Sequence, residues 1–356
     1  MPARRWLIAM CALVWGVALP GVAAAQAGPE WLLGPEIGRA KFNLSYDSTL
    51  YPDQGISGET TDMGMIQHRV RGFAPLTQSD RHEWALFGGV KALDIDTRAI
   101  LPTTRNAFPD GLWDISVGTA ARWKLDSGWI LGGNLQVGSP SDEPFASFEE
   151  MTLTADALLR VPWSKEWAGI FLLNYSTARD FAPDFPLPGF VLAYEPDRSV
   201  SALLGVPFSS FRWTPVEGLE LSASYIVVRT VRAQVSYRLF SPLRLFAGFD
   251  WDSQRFFRCD RVNEDDRLSY YEKRLGGGLR WDPTPNLFAE ASGGYAFDRL
   301  WFEGEKYSDR ANNRLDIDDG LGDGFRGRCI ICHILLDSVS PCLAKHDWMP
   351  LGPSTT

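Results

Sequence analysis

The sequence predicts an all-β protein, an antiparallel up-and-down β-barrel of the transmembrane type with about 14 strands, within a range of about 12 to 16. Three observations carry that prediction. The first is a period of two in hydrophobicity. Trp113, Ile115, Val117, Thr119, Ala121 and Trp123 alternate with Asp114, Ser116, Gly118, Ala120, Arg122 and Lys124. Successive strand side chains point to opposite faces, so such a run has one apolar and one polar side. The second is strand length and ending. Many runs reach about 10 to 14 residues, as tilted membrane strands do. Aromatics sit at their ends: Trp113, Trp123, Trp129, Trp167, Tyr175, Tyr237, Trp251, Trp281 and Tyr295. Amphipathic rings favour the membrane–water boundary, so paired end positions read as two girdles. The third is that short links alternate with long polar ones, as in bacterial outer-membrane barrels.

The elements follow in order. Met1 to Ala27 reads as a secretory signal peptide, with Arg4 and Arg5 as its charged region, Trp6 to Leu19 as its apolar region and Ala25-Gln26-Ala27 as the cleavage site. Its removal takes two Arg and leaves a formal net charge of −11. A short segment, 28–36, precedes the barrel, which is expected over 37–320. Alternation recurs from Met151, from Val231, from Leu243, from Leu275 and from Leu287. Long links fall at Asp94 to Asp110, Ser139 to Ser147, Thr177 to Pro186, Ser253 to Asp266 and Glu303 to Gly320. If these all lie on one side, Leu187 to Trp213 must hold an odd number of passes. Either Gly205-Val206-Pro207 is a reversal, or Phe190 to Leu204 is an external hairpin.

Composition sets the bounds. The 356 residues carry 35 Lys+Arg, 44 Asp+Glu and a hydrophobic share of 45%. That is too apolar for a disordered chain, and a mean hydropathy of −0.14 is too polar for a bundle of membrane helices. The acidic balance argues against nucleic acid as a partner. Five Cys are too few for a disulfide scaffold.

Val70-Arg71-Gly72-Phe73-Ala74-Pro75-Leu76 and Pro207-Phe208-Ser209-Ser210 carry a family resemblance, as do Tyr270-Tyr271-Glu272-Lys273-Arg274-Leu275, Ser292-Gly293-Gly294-Tyr295-Ala296-Phe297-Asp298 and Asp316-Ile317-Asp318-Asp319-Gly320. On these residues the stretch 70–320 resembles an uncharacterised family of Gram-negative outer-membrane β-barrel proteins, a domain of unknown function. The resemblance implies fold and outer-membrane location, and no activity. The family's acidic loop is followed by an alternating last strand. Here the chain reads Leu321-Gly322-Asp323-Gly324-Phe325-Arg326-Gly327-Arg328, loses its period of two and ends without a terminal aromatic. The closing strand is therefore expected to be lost or altered, with 321–356 an atypical tail best explained by a changed reading frame.

Candidate sites are few. Cys329, Cys332 and His333 spell the C-x-x-C-H of c-type haem attachment. Only 23 residues follow His333, too few for a haem's helical shell, so chance is the heavier reading and no cofactor is expected. Asp316, Asp318 and Asp319 suggest Ca²⁺, but their spacing is not that of an EF-hand loop, and a solvated external loop is preferred. His68, among Gln67, Arg69 and Arg71, reads as a lumen or rim histidine. A barrel hydrolase needs a Ser beside His and an orienting acid or amide, and no local grouping of that kind exists in the sequence. Gly276-Gly277-Gly278 is expected to ease strand curvature.

The polar rows supply lumen-lining candidates: Asp114, Arg122, Asp156, Arg160, Arg232, Arg238, Asp250, Arg274, Arg280 and Glu290. Mixed signs at this density suit two arrangements, a narrow diffusion channel with an electrostatic filter or a structural or adhesion barrel plugged by Arg–carboxylate pairs. An enzyme is the less favoured third class. Expected partners are outer-membrane lipid and lipopolysaccharide, the export and barrel-assembly machinery, and small solutes.

Overall fold

Alternating strands that cannot satisfy an edge in lipid must close on themselves, and this chain does so. The computed structural model describes residues 29–329 apart from 180–181, 228–229, 285 and 307–308, with 29, 30 and 322–329 described through their backbone. The expected signal peptide lies outside the described residues. So does the tail from 330 onward, with Cys332 and His333.

After a five-residue helix α1 (Pro29–Leu33) come strands β1 (Asn43–Gly55), β2 (Asp62–Gln78), β3 (His82–Thr97), β4 (Gly111–Lys124), β5 (Ile130–Ser141) and β6 (Thr152–Pro162). There follow β7 (Trp167–Ser176), β8 (Leu187–Tyr194), β9 (Val200–Val206), β10 (Phe208–Val216), β11 (Leu219–Ile226) and β12 (Thr230–Phe240). The last are β13 (Leu243–Phe256), β14 (Arg267–Thr284), β15 (Leu287–Gly304), the three-residue β16 (Leu315–Ile317) and β17 (Gly320–Cys329). From β1 to β16 each strand pairs antiparallel with its neighbour in sequence, and β17 pairs antiparallel with β15 and β1. β16 pairs with the end of β15, over Arg299↔Ile317 to Trp301↔Leu315, and Ile317 also bridges to Ile56 beyond β1. The wall is thus an up-and-down barrel of 16 strands, at the upper end of the expected range rather than 14.

Two expectations resolve differently. Gly205-Val206-Pro207 is the reversal: β8 and β10 run one way and β9 returns between them. The closing strand, expected to be lost or altered, is not lost: it is present over Gly320–Cys329. It pairs with β15 from Leu287↔Cys329 to Ala296↔Gly320 and with β1 from Leu44↔Cys329 to Leu50↔Asp323. The reason is that a ladder is made by backbone groups. Two open edges accept a glycine-rich strand whether or not its side chains alternate.

The links sort by side. At one end are 79–81, 125–129, 163–166, 195–199, 217–218, 241–242 and 285–286; at the other are 56–61, 98–110, 142–151, 177–186, 257–266 and 305–319. These are called the inner and outer ends. The wall's exterior is apolar, with Val117 63%, Leu275 59% and Trp281 51% exposed. Trp84, Trp123, Trp129, Trp167, Trp213, Tyr237 and Trp281 ring the inner end, and Trp113, Tyr175, Trp251 and Tyr295 lie toward the outer one. Trp113 and Trp123, on β4, are ten residues apart. That is ~33 Å of strand, or ~25 Å along the barrel axis at a tilt of ~40°, the height of an outer-membrane apolar band.

Candidate functional site

Sixteen strands enclose a lumen wide enough for an aqueous channel, and in this barrel two devices fill part of it. Toward the outer end, inward residues of β1–β4 and β13–β15 form a core of Tyr51, Met63, Met65, Leu93, Phe256, Tyr270 and Trp301, joined by Leu101 and Phe108 from the 98–110 loop. Polar pairs cross the lumen beside it. Gln254 on β13 donates to Gln67 on β2 at 3.0 Å, and the Tyr51 hydroxyl on β1 donates to Glu272 on β14 at 2.6 Å. Tyr270 donates to the second oxygen of Glu272 at 3.0 Å, and Arg299 to the Tyr270 oxygen at 3.2 Å.

Toward the inner end, the segment carrying α1 lies inside the barrel. Leu32 and Leu33 pack on Leu158, Ala168, Ile170, Val191, Ala193 and Leu203 from β6–β9. Two buried arginines hold the main chain. Arg122 donates to the carbonyls of Gly34 at 2.7 Å and Glu36 at 2.6 Å, and Arg160 to that of Leu33 at 2.8 Å. Arg122 also stacks on Trp31, 4.6 Å from the ring, and its Nε donates to Glu83 at 2.7 Å. The other oxygen of Glu83 accepts from the Gly38 amide at 2.9 Å. A helix terminus leaves carbonyls without partners, and the two guanidinium groups satisfy them.

Between these fillings lies a cavity of about 500 Å³. Leu33, Gly34, Pro35 and Glu195 line its inner end. Its walls include Ser201, Ser210, Ser222, Ser224, Arg232, Gln234, Gly248, Asp250, Arg274, Gly276, Glu290, Ser292 and Gly294, with Asp47, Ser48 and Thr49 from β1. On β10, β11 and β12 it reaches Ser210, Ser224 and Arg232, each two residues from the strand's outer end. The space exists because small residues line it. A Cβ on Gly276 would meet Gly293 O at 2.8 Å, and one on Gly248 would meet Ala233 O at 2.8 Å. Gly276 therefore sits where neighbouring strands approach closely, as curvature requires.

The charges in the cavity are paired. Asp250 Oδ1 lies 3.4 Å from Arg232, and its Oδ2 accepts from Arg274 at 3.3 Å. Arg71 meets Asp47 at 3.2 Å. Hydroxyls and charges of both signs, rather than a field of one sign, face the open volume, with Asp250 shared between two arginines.

The other lumen candidates lie as follows. Asp114 faces inward and accepts from Lys91 at 3.2 Å. Asp156 accepts from Asn134 at 2.8 Å and Asn174 at 2.6 Å. Arg160 lies 3.4 Å from Glu195. Arg280 donates to Asp282 at 2.7 Å and lies 4.0 Å from Glu290. Arg238 sits near the inner end of β12 and is exposed. Asp316, Asp318 and Asp319 do not converge. They serve Arg314, the Ser57 hydroxyl at 2.8 Å and the Asp298 amide at 3.2 Å respectively. Elsewhere, donor atoms of Asp142, Cys259 and Asp260 lie within 4.8 Å of one another on the outer loops. Burial and the Asp142 carboxylate push the Cys259 thiol up to about 11, and the carboxylates already serve the Cys259 amide and Asn106.

One expectation is corrected. His68 does not face the lumen. On β2 the inward row is Met63, Met65, Gln67 and Arg69, and His68 belongs to the outward row with Ile66 and Val70. Ser48 pairs directly with it across the β1–β2 ladder, and a second His–Ser contact, Ser79 Oγ to His82 Nδ1 at 2.9 Å, lies at the inner end between residues three apart in sequence.

The fold and lumen thus define an up-and-down β-barrel with an apolar exterior and a partly filled polar interior. No family model matches the chain, and no curated protein matches it; the resemblance over 70–320 stands without a family assignment. Among solved structures it is similar to an outer-membrane channel of Pseudomonas putida F1, at 10% identity over 89% of this chain and 100% of that one, with a TM-score of 0.35. The β domain of the Bordetella autotransporter BrkA aligns at 12% identity over 80% and 98%, TM-score 0.29, and OccK7 of Pseudomonas aeruginosa at 9% over 81% and 97%, TM-score 0.26. The fold assignment rests on this chain's own strand pairing.

Proposed function

We propose that the protein is an integral outer-membrane barrel that passes small polar solutes through its lumen. The supporting observation is the polar cavity, which runs from Glu195 at the inner end to the outer ends of β10–β12. The two aromatic girdles and the apolar exterior between them support the membrane location, with outer-leaflet lipid and lipopolysaccharide as its surroundings. Hydroxyl lining and paired charges favour neutral, hydroxylated solutes over ions of either sign, because neither sign meets an uncompensated field.

Planar-bilayer recording tests this reading. Small steps with weak ion selectivity are expected from the folded protein, together with swelling of protein-containing liposomes in small sugars. Silent bilayers and no swelling overturn it. They favour instead a structural barrel with a closed lumen, the reading that the Gln67–Gln254 crossing supports.

A further inference from the structure

Among the described residues, the exterior of β1–β3 carries a polar group of side chains near the outer end. Tyr46 and Ser48 on β1 and His68 on β2 all point outward. The Tyr46 hydroxyl lies 2.9 Å from His68 Nδ1, and Ser48 Oγ lies 3.4 Å from the same nitrogen. The two rings stack at 6.1 Å with 15° between planes. Asp94 on β3 pairs with Ile66, which puts it diagonally beside His68 on the same face. Leu50 and Ile66 flank the group toward the outer end, and Val70 toward the inner one.

Depth follows from the register. His68 pairs with Ala92, eight residues along β3 from Trp84 in the inner girdle. Eight residues rise ~26 Å along the strand, or ~20 Å across the membrane at a tilt of ~40°. The group therefore lies in the outer leaflet near its boundary, the level at which acyl esters join lipid chains to their headgroups.

An ionisable residue facing lipid costs free energy and marks a functional site. A serine beside a histidine is the pair from which a hydroxyl nucleophile is activated. We propose that this face is an ester hydrolase acting on acyl chains of outer-leaflet lipids. The proposal rests on the outer-membrane reading above. Ser48 Oγ attacks the ester carbonyl carbon while its proton passes to His68 Nδ1. His68 returns that proton to the departing alcohol oxygen, leaving the acyl chain on Ser48. Water from the interface then attacks the acyl-serine, releases the fatty acid and restores the hydroxyl. Tyr46 turns its O–H from the ring to the carbonyl oxygen, where negative charge develops. Asp94 is a positioning residue that offsets the charge on the imidazolium.

The test uses the folded full chain in mixed micelles with diacyl phosphatidylethanolamine or with lipid A, folding being scored by heat-modifiable migration. Fatty-acid release and labelling by a fluorophosphonate are both measured. The native protein is expected to release fatty acid and to carry the label on the Ser48 peptide. Ser48→Ala and His68→Ala are each expected to lose about 10²-fold or more in rate and to lose the label. Asp94→Asn is expected to lower kcat with KM little changed. The lipid arms separate the sources: straight-chain acids come from the phospholipid and 3-hydroxy acids from lipid A. Release unchanged in Ser48→Ala, or a folded barrel that neither releases nor labels, overturns this proposal alone. A chain that never gains a heat-modifiable form overturns the membrane reading and this proposal with it.

Discussion

Arg122 and Glu83, 2% and 1% exposed in their side chains, are buried inside the barrel. Their attraction must offset two desolvation costs, and removing one partner leaves the other charge buried alone. Arg122→Ala is therefore expected to destabilise the barrel by about 3–5 kcal/mol, measured as a lower urea midpoint for loss of the heat-modifiable form. Arg122→Met with Glu83→Leu should recover much of that loss, since apolar replacement of a whole buried pair is often neutral. Arg122 was legible in the sequence as an inward side chain because Trp123 beside it has to face lipid. His68 was not. Its strand presents Met63, Met65 and Phe73 to a lumen that is itself filled with apolar side chains, so the usual rule of polar inside and apolar outside loses its contrast there. Ser48 could not be found beside it either, because their contact depends on a register 20 residues apart in the chain.

The segment carrying α1 shows the same limit at the scale of an element. Five helical residues are too few to be stable alone. What holds them is the apolar patch on β6–β9 and the carbonyl contacts of Arg122 and Arg160. Fully burying a leucine contributes roughly 1.5–3 kcal/mol, so Leu32 and Leu33 together outweigh the ordering of a few residues. Leu32→Asp with Leu33→Asp would put two charges on that patch and expel the segment. Because Leu33, Gly34 and Pro35 bound the cavity's inner end, the double variant is expected to conduct in larger steps than the native protein in the same bilayer. Unchanged steps would show that the segment does not limit the path. The sequence marks 28–36 only as a short lead-in, since a lumen partner for it could be recognised only after Ile170, Val191 and Leu203 were known to face inward. The short strands β8 and β9 were similarly ambiguous. Their mutual register covers little more than Phe190↔Val206 to Tyr194↔Ala202, too brief to impose a clear period of two.

At the scale of the whole molecule, closure decides everything, because an open sheet in lipid exposes a full row of backbone donors and acceptors. The architecture was legible, since lipid outside imposes alternation on nearly every strand; the last strand was not, since backbone pairing leaves no mark on composition. β17 supplies that closure by pairing on both flanks, to β15 and to β1. Its inner-end partners, Leu44 and Leu287, both meet Cys329. The ladder thus runs the full length of 320–329. Ending the chain after residue 329 should therefore leave a barrel that migrates faster unboiled than boiled, whereas ending it after residue 319 should abolish that difference and leave the protein sensitive to added protease. The two truncations separate the roles cleanly, because they differ by the ten residues of β17 alone. If the shorter chain still forms the heat-modifiable species, β15 and β1 must close directly on each other, and the wall would be one of fifteen strands with a parallel seam. Both of those strands run from the inner to the outer end, so that seam would join parallel neighbours, the slightly less stable pairing, with none of the hairpin continuity that sets every other register. Loss of the species is therefore the expected result.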